Sequence, residues 1–155
     1  MEKAYAVKQI FILNIFISIL YSHQWQIHYP YEPDTILTAW LIKKNVDKNA
    51  KFTGYDRNIT LNSKYSINSK NSKFRRNGRF TAYEVAKRFY NISNSCSNKY
   101  VNIIKILELM PWKKEEFYNV VKFENGVKPL IPQGRGDLNL TKLFLFIDKY
   151  CKELK

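Results

Sequence analysis

Glycine, proline, cysteine and histidine are all scarce in this chain. The shortages of glycine, cysteine and histidine limit the kinds of binding and catalytic site that it can form. Five glycines among 155 residues leave no glycine-rich phosphate loop, because Gly134 and Gly136 flank Arg135 without the spacing of either standard phosphate-binding motif. The two cysteines and two histidines form neither a Cys-x-x-Cys nor a His-x-x-x-His pair, which argues against a zinc centre. A nucleophile elbow is also missing. The sequence therefore predicts no metal, no cofactor and no assembled set of catalytic residues.

Acidic residues are also few. Thirteen aspartates and glutamates stand against 26 lysines and arginines, so the net charge at neutral pH is +13. Such an excess favours anionic partners, namely nucleic acid, anionic lipid or small oxyanions. An AT-rich genome would also raise the counts of lysine, asparagine and isoleucine without selection for binding, and all three are abundant here. The charge by itself thus leaves a solvated basic surface as the simpler interpretation.

Long hydrophobic runs are absent apart from one near the N-terminus. Residues 10–21 read IFILNIFISILY and follow a short stretch that carries Lys3 and Lys8. A basic flank before a short apolar run is typical of a secretory signal peptide. Twelve residues span about 18 Å as a helix, less than the roughly 30 Å of a bilayer's hydrocarbon core.

We therefore expect residues 1–22 to be a signal peptide or N-terminal hydrophobic segment, followed by one domain over residues 23–155. We expect the protein to be periplasmic or secreted. If the N-terminal segment is not cleaved, it would retain the protein at the membrane as an anchor. A buried first helix of a cytosolic domain is the alternative.

The redox state of Cys96 and Cys151 is left open by the sequence. An oxidising compartment permits one disulfide between them. Cys151, however, falls on an apolar helical stripe, where an unpaired thiol behaves as a small hydrophobic side chain. Two free thiols are the slightly favoured prediction.

The domain is predicted to be a single-domain α+β fold, mainly α, with about five helices and a small β element. Asp34 is expected to cap the first helix, whose inward face carries Ile36, Leu37, Trp40 and Leu41 and leaves Thr38 outside it. Residues 50–55 suit a short strand, and residues 57–78 suit a loop or weak hairpin.

The remaining helices are predicted from capping signals and apolar spacing. Thr81 and Glu84 form a T-x-x-E capping box for the second helix, whose inward face includes Phe89. The third helix carries Tyr100, Ile103, Ile104 and Leu107 on one face and stops at Pro111. The fourth is expected over residues 112–123 with Phe117 inward, and the last from Asn139 onwards.

Positive charge concentrates in one quarter of the chain. Eleven lysines and arginines lie between Lys43 and Arg79, against only two acids. If Thr81 caps a helix, the free N–H groups of its first turn add to these cations and favour an anion. The predicted ligand is a divalent oxyanion such as chromate, sulfate or phosphate. The predicted anion-binding set is Lys43, Lys44, Arg75, Arg76 and Arg79.

Residues 34–52 read DTILTAWLIKKNVDKNAKF and resemble the opening of the bacterial chromate-resistance domain. The pattern of that family is Asp, a short spacer, Ala-Trp-Leu-Ile, two basic residues, then an Asp and an Ala before an aromatic strand. The segment from Thr81 to Phe89 looks like the family's Thr-Phe helix. The family occurs as an exported stand-alone protein and as the C-terminal half of a chromate-responsive regulator. The residues that carry the resemblance are Asp34, Ala39, Trp40, Leu41, Ile42, Asp47 and Thr81.

Two departures from the family pattern change the chemistry that the resemblance implies. Glu32 stands where the family usually has a histidine, two residues before the Asp. Arg75 and Arg76 lie in the region where the family has a histidine and a cysteine. Any metal or redox chemistry of those family residues is therefore expected to be lost in this chain. Binding would then depend on the charge and shape of the residues that remain.

Three functions are compatible with these patterns. The first is an exported chromate-resistance-like domain that binds an oxyanion. The second is a basic protein of the cell envelope that contacts anionic lipid or a protein partner. The third is a nucleic-acid-binding module, which export and the lack of a recognised motif both oppose, so that no nucleic acid partner is expected. The oligomeric state is left open.

The export assignment makes a direct prediction. Replacing Phe11, Leu13 and Phe16 by Asp places three charges in the apolar run and should hold the protein in the cytoplasm. Cell fractionation with N-terminal sequencing of the recovered protein measures this. Recovery of the triple variant from the periplasm, or of the wild type only from the cytoplasm, would contradict the assignment.

Overall fold

The computed structural model describes residues 22–154. The expected signal segment therefore lies outside the described residues except for Ser22. The first element is β1, Gln24–His28, in which Trp25 and Ile27 point to the buried side. Alternate burial along five residues is the pattern of a strand with one face on the core.

Four short strands form one sheet in the order β3-β1-β2-β4. β1 pairs in parallel with β2 (Lys51–Tyr55) and with β3 (Ser66–Ile67), whereas β4 (Gly136–Asp137) is antiparallel to β2. β2 confirms the strand predicted at residues 50–55. The three parallel strands end at one edge of the sheet, which we call the carboxyl edge.

Helices make up most of the described chain, which confirms the predicted mainly α, single-domain α+β class. Within residues 22–154, no helix is both long enough and apolar enough to cross a bilayer. The α-helices are α1 (Pro33–Asn45), α2 (Ala82–Phe89), α3 (Ser95–Leu109), α4 (Tyr118–Val127) and α5 (Thr141–Glu153), with 3-10 helices at Pro111–Glu116 and Lys128–Leu130.

α1 is the central helix of the domain. It contacts β3, α2 and α3, and each of its residues 34–42 is buried. The expectation that Thr38 lies outside the inward face is wrong, since Thr38 is fully buried and its hydroxyl donates a 2.7 Å hydrogen bond to the carbonyl of Asp34. A helix that is surrounded on all sides has no single apolar face, so spacing alone understates its burial.

Two helices differ from their predicted form. Residues 111–116 make a 3-10 helix with no buried residue, and α4 begins only at Tyr118, so Phe117 is 42% exposed rather than inward. The capping box of α2 is confirmed, but its buried face carries Tyr83 and Glu84 while Phe89 is 53% exposed. Four consecutive charged residues before Phe117 offer nothing to bury, which explains the late start of α4.

Cys96 and Cys151 form a disulfide, so the prediction of two free thiols is wrong. The bond joins the first turn of α3 to the last turn of α5 across 55 residues of sequence. The apolar stripe that suggested a free thiol is real, because Cys151 is buried beside Ile147 and Tyr150. A buried apolar stripe is found both with free thiols and with a disulfide. The packing of α3 on α5 decides which of the two forms.

Loss of this disulfide should weaken the fold measurably. The double variant Cys96→Ser/Cys151→Ser should lose about 2–4 kcal/mol in the free energy of unfolding, because the crosslink closes a long loop in the unfolded chain. Urea unfolding of the wild type and the variant measures the loss. The reduced wild type serves as control and should match the variant, and equal midpoints for the oxidised wild type and the variant would contradict the assignment.

Candidate functional site

Asp34 joins the two segments that carry the resemblance. Its side chain is fully buried, and its Oδ2 and Oδ1 accept hydrogen bonds of 2.7 and 2.9 Å from the backbone N–H groups of Ala82 and Tyr83. Asp34 therefore caps α2, and the expectation that it caps its own helix is wrong. It lies inside the first turn of α1, from which its side chain reaches the start of the neighbouring helix.

The N-terminus of α2 is fully satisfied by protein groups. The Thr81 hydroxyl accepts from the Glu84 N–H at 3.1 Å, and the Glu84 carboxylate accepts from the Thr81 N–H at 3.0 Å. Asp34 takes the two N–H groups between them. The helix start that we expected to attract an external anion is thus occupied by the side-chain carboxyl group of Asp34.

Two buried carboxyls lie behind this helix start. Glu108 Oε1 accepts a 3.2 Å hydrogen bond from the backbone N–H of Asp34, which places the second carboxyl at the start of α1. Burial raises the pKa of Asp34 to about 7, against the lowering effect of the N–H donors of Tyr83 and Ala82. Burial also raises the pKa of Glu108, and the charge of Arg76 opposes this.

Arg76 connects these carboxyls to the surface. Its guanidinium binds Glu108, and its Nη2 lies 3.3 Å from Oε2 of Glu32. Arg57 approaches the other oxygen of Glu32 at 3.7 Å, and the side-chain amide of Asn68 donates to Glu32 at 3.4 Å. Glu32 is therefore surrounded by two guanidinium groups and one amide.

These groups line a cavity of about 310 Å³ at the carboxyl edge of the sheet, which we call the carboxyl-edge cavity. The strand order reverses at β1, since β2 and β3 lie on its two sides. In open α/β sheets, ligands bind outside the carboxyl ends of the strands at such a reversal. The lining residues are His28, Glu32, Thr35, Arg57, Ile67, Asn68, Ser69, Lys70 and Arg76.

Of the five predicted anion-binding residues, only Arg76 lines this cavity. Lys43 donates to the carbonyl of Ala50 at 2.9 Å, and Lys44 pairs with Asp148 at 2.9 Å. Both lysines leave the far end of α1, on the order of 16 Å from Glu32 along the helix axis.

The other two arginines of the predicted set are exposed on the loop before α2. Arg75 donates to the carbonyl of Lys70 at 3.3 Å, and Arg79 follows Gly78 in the same loop. The structure thus does not bring the predicted five residues together.

Sequence reasoning missed three of the basic groups around the cavity, namely His28, Arg57 and Lys70. Arg57 and Lys70 lie inside the basic run, but nothing in that run singles them out. The missing signal was the parallel pairing of β1 with both β2 and β3, which makes residues just after these strands neighbours.

The other residues of the resemblance serve the fold. Ala39, Leu41 and Ile42 are buried in the core. The indole N–H of Trp40 donates to Asp148 at 3.1 Å, and its ring packs edge-on against Tyr100, which links α1 to α5 and α3.

Asp47 fixes the place where β1 begins. Its buried carboxylate accepts from the backbone N–H of His23 at 3.0 Å and from that of Asn49 at 3.0 Å. The turn after α1 is therefore tied to the first residues of the described chain.

Comparisons with protein-family models, with curated proteins and with solved structures find no match for this chain. Within residues 22–154, no group of three or more histidine, cysteine, aspartate and glutamate side chains is placed to hold a metal ion. What the carboxyl-edge cavity does present is a set of cationic and neutral hydrogen-bond donors around a single lining carboxylate.

The raised pKa of Asp34 predicts a pH-dependent contribution to stability. The folded protein holds a proton on this carboxyl up to about pH 7, whereas the unfolded chain releases it near 3.8. The stabilising contribution is thus complete below pH 3.8 and lost as the pH rises through about 7. The unfolding free energy of wild type minus that of Asp34→Asn should fall by about 4 kcal/mol over this interval.

Urea unfolding of both proteins at several pH values between 4 and 7 measures this difference. Other titrating groups, Glu108 included, are present in both proteins and cancel to first order. A difference that grows with pH would contradict the assignment, because it would show that the two backbone donors outweigh burial.

Proposed function

We propose that this chain is an oxyanion-binding domain of the chromate-resistance type, and that the carboxyl-edge cavity is its binding site. The observation that carries the proposal is the convergence of Arg57, Lys70 and Arg76 on one cavity whose lining has a single acid, Glu32. Guanidinium groups donate paired, charge-assisted hydrogen bonds to oxyanions, and an ammonium group adds a mobile positive charge.

Neutral donors complete the coordination that a tetrahedral oxyanion needs. Asn68, Thr35 and Ser69 line the same cavity, and the amide of Asn68 donates to both Glu32 and the Thr35 hydroxyl at 3.4 Å. His28 is held in place by a 2.9 Å hydrogen bond between its Nε2 and the carbonyl of Ile59. The cavity therefore offers neutral polar groups beside its cationic ones.

Glu32 is the internal competitor of the ligand. Its carboxylate lies between Arg57 and Arg76, where a divalent oxyanion would be held most strongly. The Glu32 side chain is 36% exposed, so it can turn towards solvent without breaking buried contacts. An oxyanion with two charges gains more from the two arginines than the single carboxylate does.

The departures from the family pattern support the same location. Glu32 takes the place of one family histidine, and Arg76 lies where the family has a histidine and a cysteine. These two residues form an ion pair on the wall of the carboxyl-edge cavity. We infer that the cavity keeps the family's position for its site while replacing imidazole and thiol groups with charge.

A titration with sulfate and chromate at low salt tests the proposal. The variant Arg57→Gln/Lys70→Gln should lose saturable binding, because it removes two cavity charges without exposing a buried partner. Glu32→Gln should bind more tightly than the wild type, since the competing charge is gone. Isothermal calorimetry measures both effects, which should weaken as salt rises, because exposed charges are screened within about 10 Å at 0.1 M.

The matched control is Arg75→Gln/Arg79→Gln, which removes the same charge from the loop outside the cavity. It should bind as the wild type does. Equal loss of binding in both double variants would show that net charge rather than the cavity attracts the ion. No saturable heat in the wild type would overturn the proposal.

A further inference from the structure

A second basic surface lies away from the carboxyl-edge cavity, on the outer side of α2. The ammonium of Lys73 lies 3.8 Å from the ring centre of Phe89, and the guanidinium of Arg88 lies 3.8 Å from that of Phe80. Lys64 covers the ring of Tyr65 at 5.1 Å. We call this surface the α2 face and define it by Lys64, Lys73, Phe80, Arg88 and Phe89.

Within residues 22–154, none of the cations of the α2 face, Lys64, Lys73 and Arg88, forms an ion pair. Residues 60–93 contain eight lysines and arginines and one acid, Glu84. Glu84 is 5% exposed and engaged in the capping box of α2. Of these eight lysines and arginines, Arg76 is the one that forms ion pairs within residues 22–154. The charge of the α2 face is therefore open to an external anionic surface.

The described chain begins next to this face. The ring of His23 stacks on Tyr65 at 4.4 Å, and Tyr65 meets Trp25 at 5.6 Å. The backbone N–H of Lys73 donates a 3.3 Å hydrogen bond to the carbonyl of Ser63, which places Lys73 beside Lys64. In the sequence, the apolar run at residues 10–21 ends directly before Ser22, the first described residue.

We propose that the α2 face docks on an anionic lipid bilayer. This inference is independent of the oxyanion site. The basic side chains offer charge to lipid phosphates, and their aliphatic stems, with the half-exposed Phe89, suit the depth of the headgroups. An extended nucleic acid strand is a poorer fit, because Lys73 and Arg88 already cover the rings on which bases would stack.

The carboxyl-edge cavity lies at the other end of β1 from His23. His23 precedes the first residue of β1, whereas His28 ends β1 and lines the cavity. Five residues of strand separate the two ends by about 16 Å.

Vesicle partitioning of the full-length chain tests the docking. Binding is measured to phosphatidylcholine vesicles and to vesicles that also contain phosphatidylglycerol, and the anionic-to-neutral ratio of the partition coefficients is taken. The apolar run contributes to both and cancels in the ratio. The variant Lys64→Gln/Lys73→Gln/Arg88→Gln should lower this ratio on the order of a hundredfold at low salt.

The matched control is Lys142→Gln/Lys149→Gln/Lys152→Gln, which removes three exposed charges from α5. It should keep the wild-type ratio, and circular dichroism should show both variants folded. An equal fall in both variants, or a wild-type ratio near one, would overturn the proposal. Tighter binding of the wild type to a duplex or single-stranded oligonucleotide than to anionic vesicles, lost in the α2-face variant, would overturn it in favour of nucleic acid.

Discussion

The carboxylate of Asp34 is the contact on which the arrangement of this domain depends. Both of its oxygens accept hydrogen bonds from backbone N–H groups of another helix, at a fully buried position. A buried carboxyl is tolerated only where donors are fixed in position, so α1 and α2 can meet in one register only. Burial and the two donors act on its pKa in opposite directions, and burial prevails.

A second carboxyl, nearer the surface, also caps the start of a neighbouring helix. Asp34 closes the start of α2, and Glu108 of α3 closes the start of α1. Arg76 then pairs with Glu108 and turns its remaining donors to Glu32 at the carboxyl-edge cavity. The cation that the proposed oxyanion would meet is therefore held by the groups that cap the helices. Stability and the candidate site share one network, so a variant at Arg76 would disturb both.

Local signals in the sequence were reliable where one short segment decides the outcome. The capping box is confirmed because Thr81 and Glu84, three residues apart, hydrogen-bond each other. The strand over Lys51–Tyr55 is confirmed because its alternation faces one core. By contrast, the face of α1 and the start of α4 were misjudged, since each depends on which neighbours are available to bury a side chain.

Sequence by itself determined the α+β class, the number of described α-helices and the positive charge. Tertiary structure alone decided that Asp34 caps a helix 48 residues away, that Cys96 meets Cys151, and that Arg57, Lys70 and Arg76 share a cavity. The physical reason is the range of the interactions. Capping, alternation and charge are properties of neighbouring residues, whereas these three contacts join segments whose separation in the chain carries no information about their distance in the fold.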